Sequence, residues 1–320
     1  MVQRLLVALG LMIAGLMPAA AQSYPARAVR VIVPFGPGGP ADIYARAVAQ
    51  HLSDVMKQAF VIENRAGAGA TIGTREVQRS PADGYTLLMM SNTHTANETL
   101  LPNRGYELMR DFVPIAPVNA SDLVFVVHPS VEAKTLPELI ALAKARPGTL
   151  NYASSGLGTP YHLAGENFKA ITGTDIVHLP HRNSGDARNA VLGGHAQLMI
   201  DAVSTMLPTI QSGNVRALAT SGRTRNAVTP DVPTAIEMGV ANYEATIWLG
   251  FMAPAGTPKA IVDQLNAEIR RFQERPEIKS AWGRLGVDVL AQSPEEFGQF
   301  LRDDIAKWGA VIRAGNIRAE

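Results

Sequence analysis

Short runs of β-branched and aliphatic residues alternate with longer amphipathic stretches along this chain, and this alternation limits the folds it can adopt. Residues 29–33 are predicted to form a strand, and residues 41–56 a helix with apolar side chains on one face. A strand at 60–63 leads through a glycine-rich turn to a helix at 72–79, and a further strand follows at 85–90. Strands that alternate with helices build mostly parallel sheets flanked by helices, so the pattern predicts an α/β protein.

The alternation begins again in the second half of the chain. Residues 123–127 are predicted to be a strand and residues 136–145 a helix. Later strands are predicted at 150–153, 197–201, 215–220 and 248–253, and helices at 258–274 and after Pro276 and Pro294. A chain of 320 residues can bury two moderate cores, so the two series predict two lobes.

The first residues have the composition of an export signal. Arg4 provides a positive charge, residues 5–17 are apolar, and Ala19-Ala20-Ala21 supplies small residues for cleavage after Ala21. The apolar run is shorter than the roughly 20 residues that span a bilayer, which argues against an uncleaved anchor. The mature protein is therefore expected in the periplasm of a cell with two membranes.

Charge and cysteine content exclude several classes of protein. Lys and Arg total 29 and Asp and Glu total 28, so no charge excess favours nucleic acid or an anionic membrane as a partner. The sequence contains no cysteine. Disulfides, a thiol nucleophile, a cysteine-based metal site and a lipid-modified N-terminal cysteine are therefore excluded.

Three strand-to-helix turns are rich in glycine, proline and small polar residues. They are PFGPGGP at 34–40, SSGLGT at 154–159 and HRNSGD at 181–186. Glycine allows backbone amides to approach a ligand, and the unpaired N–H groups of a helix N-terminus favour a carboxylate or a phosphate. Each turn is a candidate anion site, although a single glycine-rich turn can equally be a tight connection only.

Motifs for cofactors and nucleophiles do not match. The first turn reads Gly36-Pro37-Gly38-Gly39 instead of the dinucleotide-binding G-x-G-x-x-G, and no Gly-Lys-Ser or Gly-Lys-Thr occurs. Ser154 and Ser155 lie near His162 in sequence, but neither has the preceding glycine of the hydrolase motif G-x-S-x-G. We therefore predict neither a cofactor nor catalysis.

Two histidines and two aspartates could have either a structural role or a role in binding a metal or a ligand. His178 and His181 are three residues apart, but only Asp186 and Asp201 could complete a metal site, so we predict surface or hinge-facing imidazoles and no metal. Asp42 lies in the first turn of a predicted helix, where it can stabilise the helix or contact a ligand. Asp201 ends a strand, where side chains of α/β lobes face the crevice, and it is a candidate ligand-binding residue.

Longer motifs reveal a family resemblance. They include VRVIVPFGPGGPADIYAR from 29, VIENRAGAGATIG from 61, SPADGYTLL from 80, ARPGTLNYASSGLGTPYHLAGE from 145, LGGHAQLMID from 192 and W-x-G-F-x-A-P-A-G-T-P from 248. Over essentially the whole mature chain, the sequence resembles the substrate-binding proteins of tripartite tricarboxylate transporters, the Bordetella uptake gene family. That family captures small organic carboxylates without chemistry and presents them to membrane permease subunits.

The resemblance implies a two-lobed Venus-flytrap fold with a ligand cleft between the lobes. One lobe would comprise residues 22–122 and 243–320, and the other residues 123–242. Implied ligand-binding residues are Phe35, Gly38, Gly39, Asp42, Asn92 and Thr93 in the first lobe and Ser154, Ser155, Gly158, Thr159, Arg182, Asn183 and Ser184 in the second. The protein is expected to act as a monomer.

One turn departs from the family pattern. Members usually carry Tyr-Lys-Gly where this chain has His181-Arg182-Asn183. Arginine keeps the positive charge and can grip a carboxylate with two hydrogen bonds, whereas losing Tyr and Gly changes the shape of the pocket. Two other functions stay open: a ligand-binding subunit that signals to a sensor protein, and a periplasmic hydrolase.

Overall fold

The computed structural model describes residues 24–318, which form two α/β lobes. The predicted signal peptide, residues 1–21, lies outside the described residues. Among the helices of residues 24–318, none is long and apolar enough to cross a membrane.

The first lobe is built on a mixed sheet. Its strands are β1 (Val29–Val33), β2 (Phe60–Asn64), β3 (Thr86–Ser91), β9 (Thr246–Pro254), β10 (Val287–Val289) and the first part of β4 (Phe112–Val127). Its helices are α1 (Pro40–Met56), α2 (Thr71–Gln78), α3 (Asn92–Leu100), α4 (Leu108–Asp111), α9 (Lys259–Glu274), α10 (Pro276–Gly283) and α11 (Pro294–Ala314). β1 pairs parallel with β2 and β3, whereas β9 is antiparallel to β3 and β4.

The second lobe repeats this arrangement on a smaller scale. Its strands are β5 (Asn151–Ser154), β6 (Val177–Pro180), β7 (Leu198–Ala202), β8 (Arg216–Thr220) and the end of β4, and its helices are α5 (Leu136–Ala145), α6 (Pro160–Thr172), α7 (Ser184–Leu192) and α8 (Val203–Gln211). β5 is parallel to β6 and β7, and β4 is antiparallel to β7 and β8. The parallel βα units are as predicted, but the crossing strands make both sheets mixed.

Strand β4 connects the lobes. Its 16 residues pair with β9 as far as Asp122 and with β7 from Leu123 onward. The pairing with β9 shifts register after Pro114 and again after Pro117, because proline has no N–H for the ladder. These prolines interrupt the alternating pattern, which explains why the sequence predicted a strand only at 123–127.

The return crossing lies close to the start of β9. The ring of Tyr243 packs against Phe125 and Phe168 of the second lobe, with centroid distances of 5.3 and 6.0 Å. We therefore propose that the second lobe extends from 123 to about 245, slightly beyond the end at 242 expected from the sequence.

Each sheet is covered by helices on both faces, and the lobes also share apolar contacts. The core of the first lobe surrounds residues such as Val31 and Phe251, and that of the second surrounds Phe125 and Ile200. Leu163 of α6 joins a cluster with residues of α3 and α11 from the first lobe. The lobes therefore meet, and their strand-to-helix turns face each other.

Candidate functional site

A cavity of about 320 Å³ lies between the lobes. This volume suits a small organic molecule. The first lobe contributes backbone and apolar side chains from Pro34, Phe35, Gly36, Gly39, Pro40, Ala41, residues 66–70, Ser91, Ile247 and Leu249. The second lobe contributes Ser155, Gly156, Leu157, Thr159, Pro160, Tyr161, Pro180, His181, Arg182, Asn183 and Ser184.

Five helices of the described chain direct their N-termini at this cavity. The residues that precede the first turns of α1, α2, α3, α6 and α7 are Gly39, Ala70, Ser91, Thr159 and Asn183, and all five line it. Helix N-termini carry partial positive charge and unpaired N–H groups. The described lining contains no carboxylate side chain, so the electrostatics of the cavity favour an anion.

Helix N-termini from opposite lobes meet in two places. A Cβ built on Gly36 would lie 2.7 Å from the Cβ of Asn183, which brings the turn before α1 against the turn before α7. A Cβ built on Gly69 would lie 3.6 Å from the carbonyl oxygen of Leu157, which brings the turn before α2 against the turn before α6. The lobes are therefore closed, and glycine at position 36 permits this closure.

The turn at 154–159 is held so that alternate amides remain free. The amide of Gly156 donates to Ser154 Oγ at 3.1 Å, and the amide of Gly158 donates to His162 Nδ1 at 3.2 Å. Within residues 24–318, the amides at positions 155 and 157 contact no acceptor. These two N–H groups belong to residues that line the cavity and can donate to a bound anion.

Two histidines support this turn from behind. His178 Nε2 lies 2.6 Å from Ser154 Oγ, and the rings of His178 and His162 are 4.5 Å apart. Burial lowers the pKa of His162 to about 4 and that of His178 to about 3, so both imidazoles are neutral near pH 7. His178 is half-buried and packs beneath the turn, whereas His181 lines the cavity between the lobes.

Asp42 braces the first turn. Its carboxylate accepts the Gly38 amide at 3.0 Å and the Asn64 side-chain amide at 3.0 Å, and it pairs with Arg46 at 2.8 Å. Burial alone would raise the pKa of Asp42, but these hydrogen bonds lower it below its ordinary value. The Asp42 carboxylate already has these three partners, and Asp42 does not line the cavity.

Two buried polar atoms of the lining have no hydrogen-bond partner among the described residues. They are Tyr161 Oη and His181 Nε2. The Tyr161 hydroxyl lies near Ser184 and Asp201, and burial together with the Asp201 charge raises its pKa. Because a buried polar atom without a partner is costly, both atoms are candidates for contact with a ligand.

The turn that departs from the family pattern lines the cavity. Asn183 Oδ1 accepts the Asp186 amide at 2.9 Å and so caps α7. Arg182 is exposed, which leaves its guanidinium free to reach an anion at the cavity edge.

The structure brings half of the predicted site residues to the cavity wall. Those that line it are Phe35, Gly39, Ser155, Thr159, Arg182, Asn183 and Ser184. Those that lie behind the wall are Gly38, Asp42, Asn92, Thr93, Ser154, Gly158 and Asp201. The second group supports the first: Asn92 donates to the Thr246 carbonyl at 2.9 Å, and Ser154 holds the turn described above.

Sequence reasoning missed three parts of the lining. Residues 66–70 were recognised only as a glycine-rich turn, although they precede a helix as the three candidate turns do. Tyr161 follows the cap of α6 and has the pattern of a core aromatic. Ile247 and Leu249 lie on a strand of the first sheet, where no local feature distinguishes the wall of a cavity from a core.

Several known proteins are similar to this chain in sequence, and some of them also in fold. The protein BugT of Bordetella pertussis is 38% identical over 315 residues, which are 97% of each chain. The solved structure described as R. palustris Rpa4515 with adipate is 32% identical with a TM-score of 0.89, covering 92% of this chain and 99% of that one. MatC (Rpa3494) from Rhodopseudomonas palustris with bound malate is 29% identical with a TM-score of 0.87, covering 90% and 100%.

A family model agrees with these relatives and confirms the resemblance found in the motifs. The model described as Tripartite tricarboxylate transporter family receptor matches residues 44–317. The chain therefore belongs to the family of tripartite tricarboxylate transporter receptors, which are substrate-binding proteins.

Proposed function

We propose that this protein captures a small organic carboxylate in the cavity between its lobes and delivers it to the permease subunits of a tripartite tricarboxylate-type transporter. The observation that carries the proposal is the convergence of five helix N-termini from both lobes on one cavity without acidic side chains. In this proposal the protein works as a monomer in the periplasm, after cleavage of its signal peptide.

The geometry favours a dicarboxylate within this class. Two separate inter-lobe contacts each bring together a pair of helix N-termini, at Gly36 with Asn183 and at Gly69 with Leu157. The part of the cavity beside each pair can hold one carboxylate, and apolar side chains such as Phe35 and Leu249 also line this cavity. Adipate and malate, named in the structures of two relatives, are both dicarboxylates.

Calorimetric titration tests this proposal. The refolded, ligand-free protein is titrated with adipate, malate and hexanoate, which matches adipate in carbon number but has one carboxylate. We expect one site per chain and clearly tighter binding of adipate than of hexanoate. No binding of any carboxylate by a correctly folded protein would refute the proposal.

The variant Gly36→Val tests whether the ligand binds between the lobes. Position 36 has ordinary backbone geometry, so the added side chain clashes with Asn183 only when the lobes are closed. The expected result is a large loss of affinity with an unchanged melting temperature. Gly283→Ala is the control, because a Cβ at position 283 would meet no atom within 4 Å.

We propose no catalytic role. Ser154 and His178 form a close pair, but Ser154 is fully buried, lies behind the cavity wall and holds the Gly156 amide. A serine in this position supports the binding turn and cannot reach a substrate in the cavity. Ester hydrolysis that disappears in Ser154→Ala would contradict this conclusion.

A further inference from the structure

Arg188 of α7 links the buried Asp201 carboxylate of the second lobe to the turn before α1 in the first lobe. Its Nη1 lies 3.3 Å from Asp201 Oδ2 within the second lobe. Its Nη2 donates to the carbonyl oxygen of Gly38 in the first lobe, also at 3.3 Å. The Asp201 carboxylate is fully buried, and the Arg188 side chain is 18% exposed.

The carbonyl that Arg188 contacts belongs to the turn beside the cavity. The N–H of Gly38 is already held by Asp42 of the same lobe, so the two polar groups of this residue are bound from different lobes. When the lobes separate, the bond to Asp42 and the pair between Arg188 and Asp201 can persist, because each lies within one lobe. The bond from Arg188 to Gly38 exists only when the lobes are closed.

We propose that Arg188 is a positioning residue that stabilises the closed form and thereby slows release of the ligand, which it does not touch. This inference rests on the proposed function. The guanidinium suits the role because its planar fork can serve two acceptors, and a charged donor strengthens both bonds. An interaction present only in the closed form is expected to change the dissociation rate more than the association rate.

Dissociation kinetics with adipate as the probe test the role of Arg188. Arg188→Lys keeps the charge beside Asp201 but loses the fork. Arg188→Leu combined with Asp201→Asn removes both charges, so that no unpaired carboxylate stays buried if a single variant fails to fold. We expect adipate to dissociate about tenfold faster from both variants, with association changed by less than about twofold.

Arg216→Lys is the matched control. Arg216 also donates to backbone carbonyls, of Val131 at 3.0 Å and Ala133 at 3.1 Å, but all three residues lie in the second lobe. This variant is expected to lower the melting temperature without changing adipate dissociation.

Three results would overturn the inference. Unchanged dissociation in both Arg188 variants, while the wild-type protein binds adipate, refutes the role of Arg188 and leaves the proposed function intact. Slower, salt-dependent association with unchanged dissociation assigns Arg188 to electrostatic steering instead. A folded wild-type protein that binds no carboxylate refutes the proposed function, and the inference about Arg188 with it.

Discussion

Two buried imidazoles, His94 and His162, are expected to make the fold lose stability as the pH falls from 7 to 5. His94 is fully buried and contacts Thr74 Oγ1 at 3.0 Å, and His162 Nδ1 accepts the Gly158 amide beneath the binding turn. Burial lowers the pKa of each to about 4 from an ordinary value of 6.5. Protonation of either imidazole therefore opposes the folded state.

The sign and size of the effect follow from proton linkage. A histidine whose folded pKa lies below its unfolded pKa contributes its full stability above pH 6.5, and the contribution is lost between 6.5 and 4. With 1.36 kcal/mol for each pKa unit, the loss between pH 7 and pH 5 is roughly 2 kcal/mol for each residue. Asp304 acts in the opposite direction, because burial raises its pKa to about 6, and it offsets about 1 kcal/mol.

Urea unfolding at pH 7.5 and pH 5.0 measures this difference. The wild-type free energy of unfolding is expected to fall by at least about 3 kcal/mol, because the half-buried His178, whose pKa burial lowers to about 3, adds to the loss from His94 and His162. In a variant with His162→Gln the fall is expected to be about 2 kcal/mol smaller. His195→Gln is the control for a histidine substitution that leaves the buried imidazoles in place, since His195 is exposed. Equal stability of the wild-type protein at the two pH values would refute the assignment of neutral, buried imidazoles.

Two further substitutions separate ligand contacts from core contacts. Tyr161→Phe removes a buried hydroxyl that has no partner among the described residues, so we expect about tenfold weaker adipate binding by calorimetry with no loss of melting temperature. Unchanged affinity would show that the hydroxyl does not reach the ligand. Phe125→Ala removes a fully buried ring that packs 4.9 Å from Phe168, so unfolding in urea should cost about 3–5 kcal/mol less. A loss below 1 kcal/mol would contradict that packing.

Local sequence patterns determined the individual elements with good accuracy. The helix predicted at 136–145 is α5 (Leu136–Ala145), and the strand predicted at 29–33 is β1 (Val29–Val33). Apolar spacing, capping residues and prolines act within a few residues of each other, so the sequence displays them directly. The first half of β4 was missed because Pro114 and Pro117 break that local pattern.

Sequence by itself also determined the family, through motifs spread over the mature chain. It likewise identified three polar turns that contribute to the cavity. Only the tertiary structure decided which atoms of those turns face it. Ser154 and Ser155 are neighbours, yet one supports the turn and the other lines the cavity. Arg188 acquires its partner Gly38 only because closure brings together residues 150 positions apart. Such contacts depend on the packing of whole lobes, which no local spacing of residues encodes.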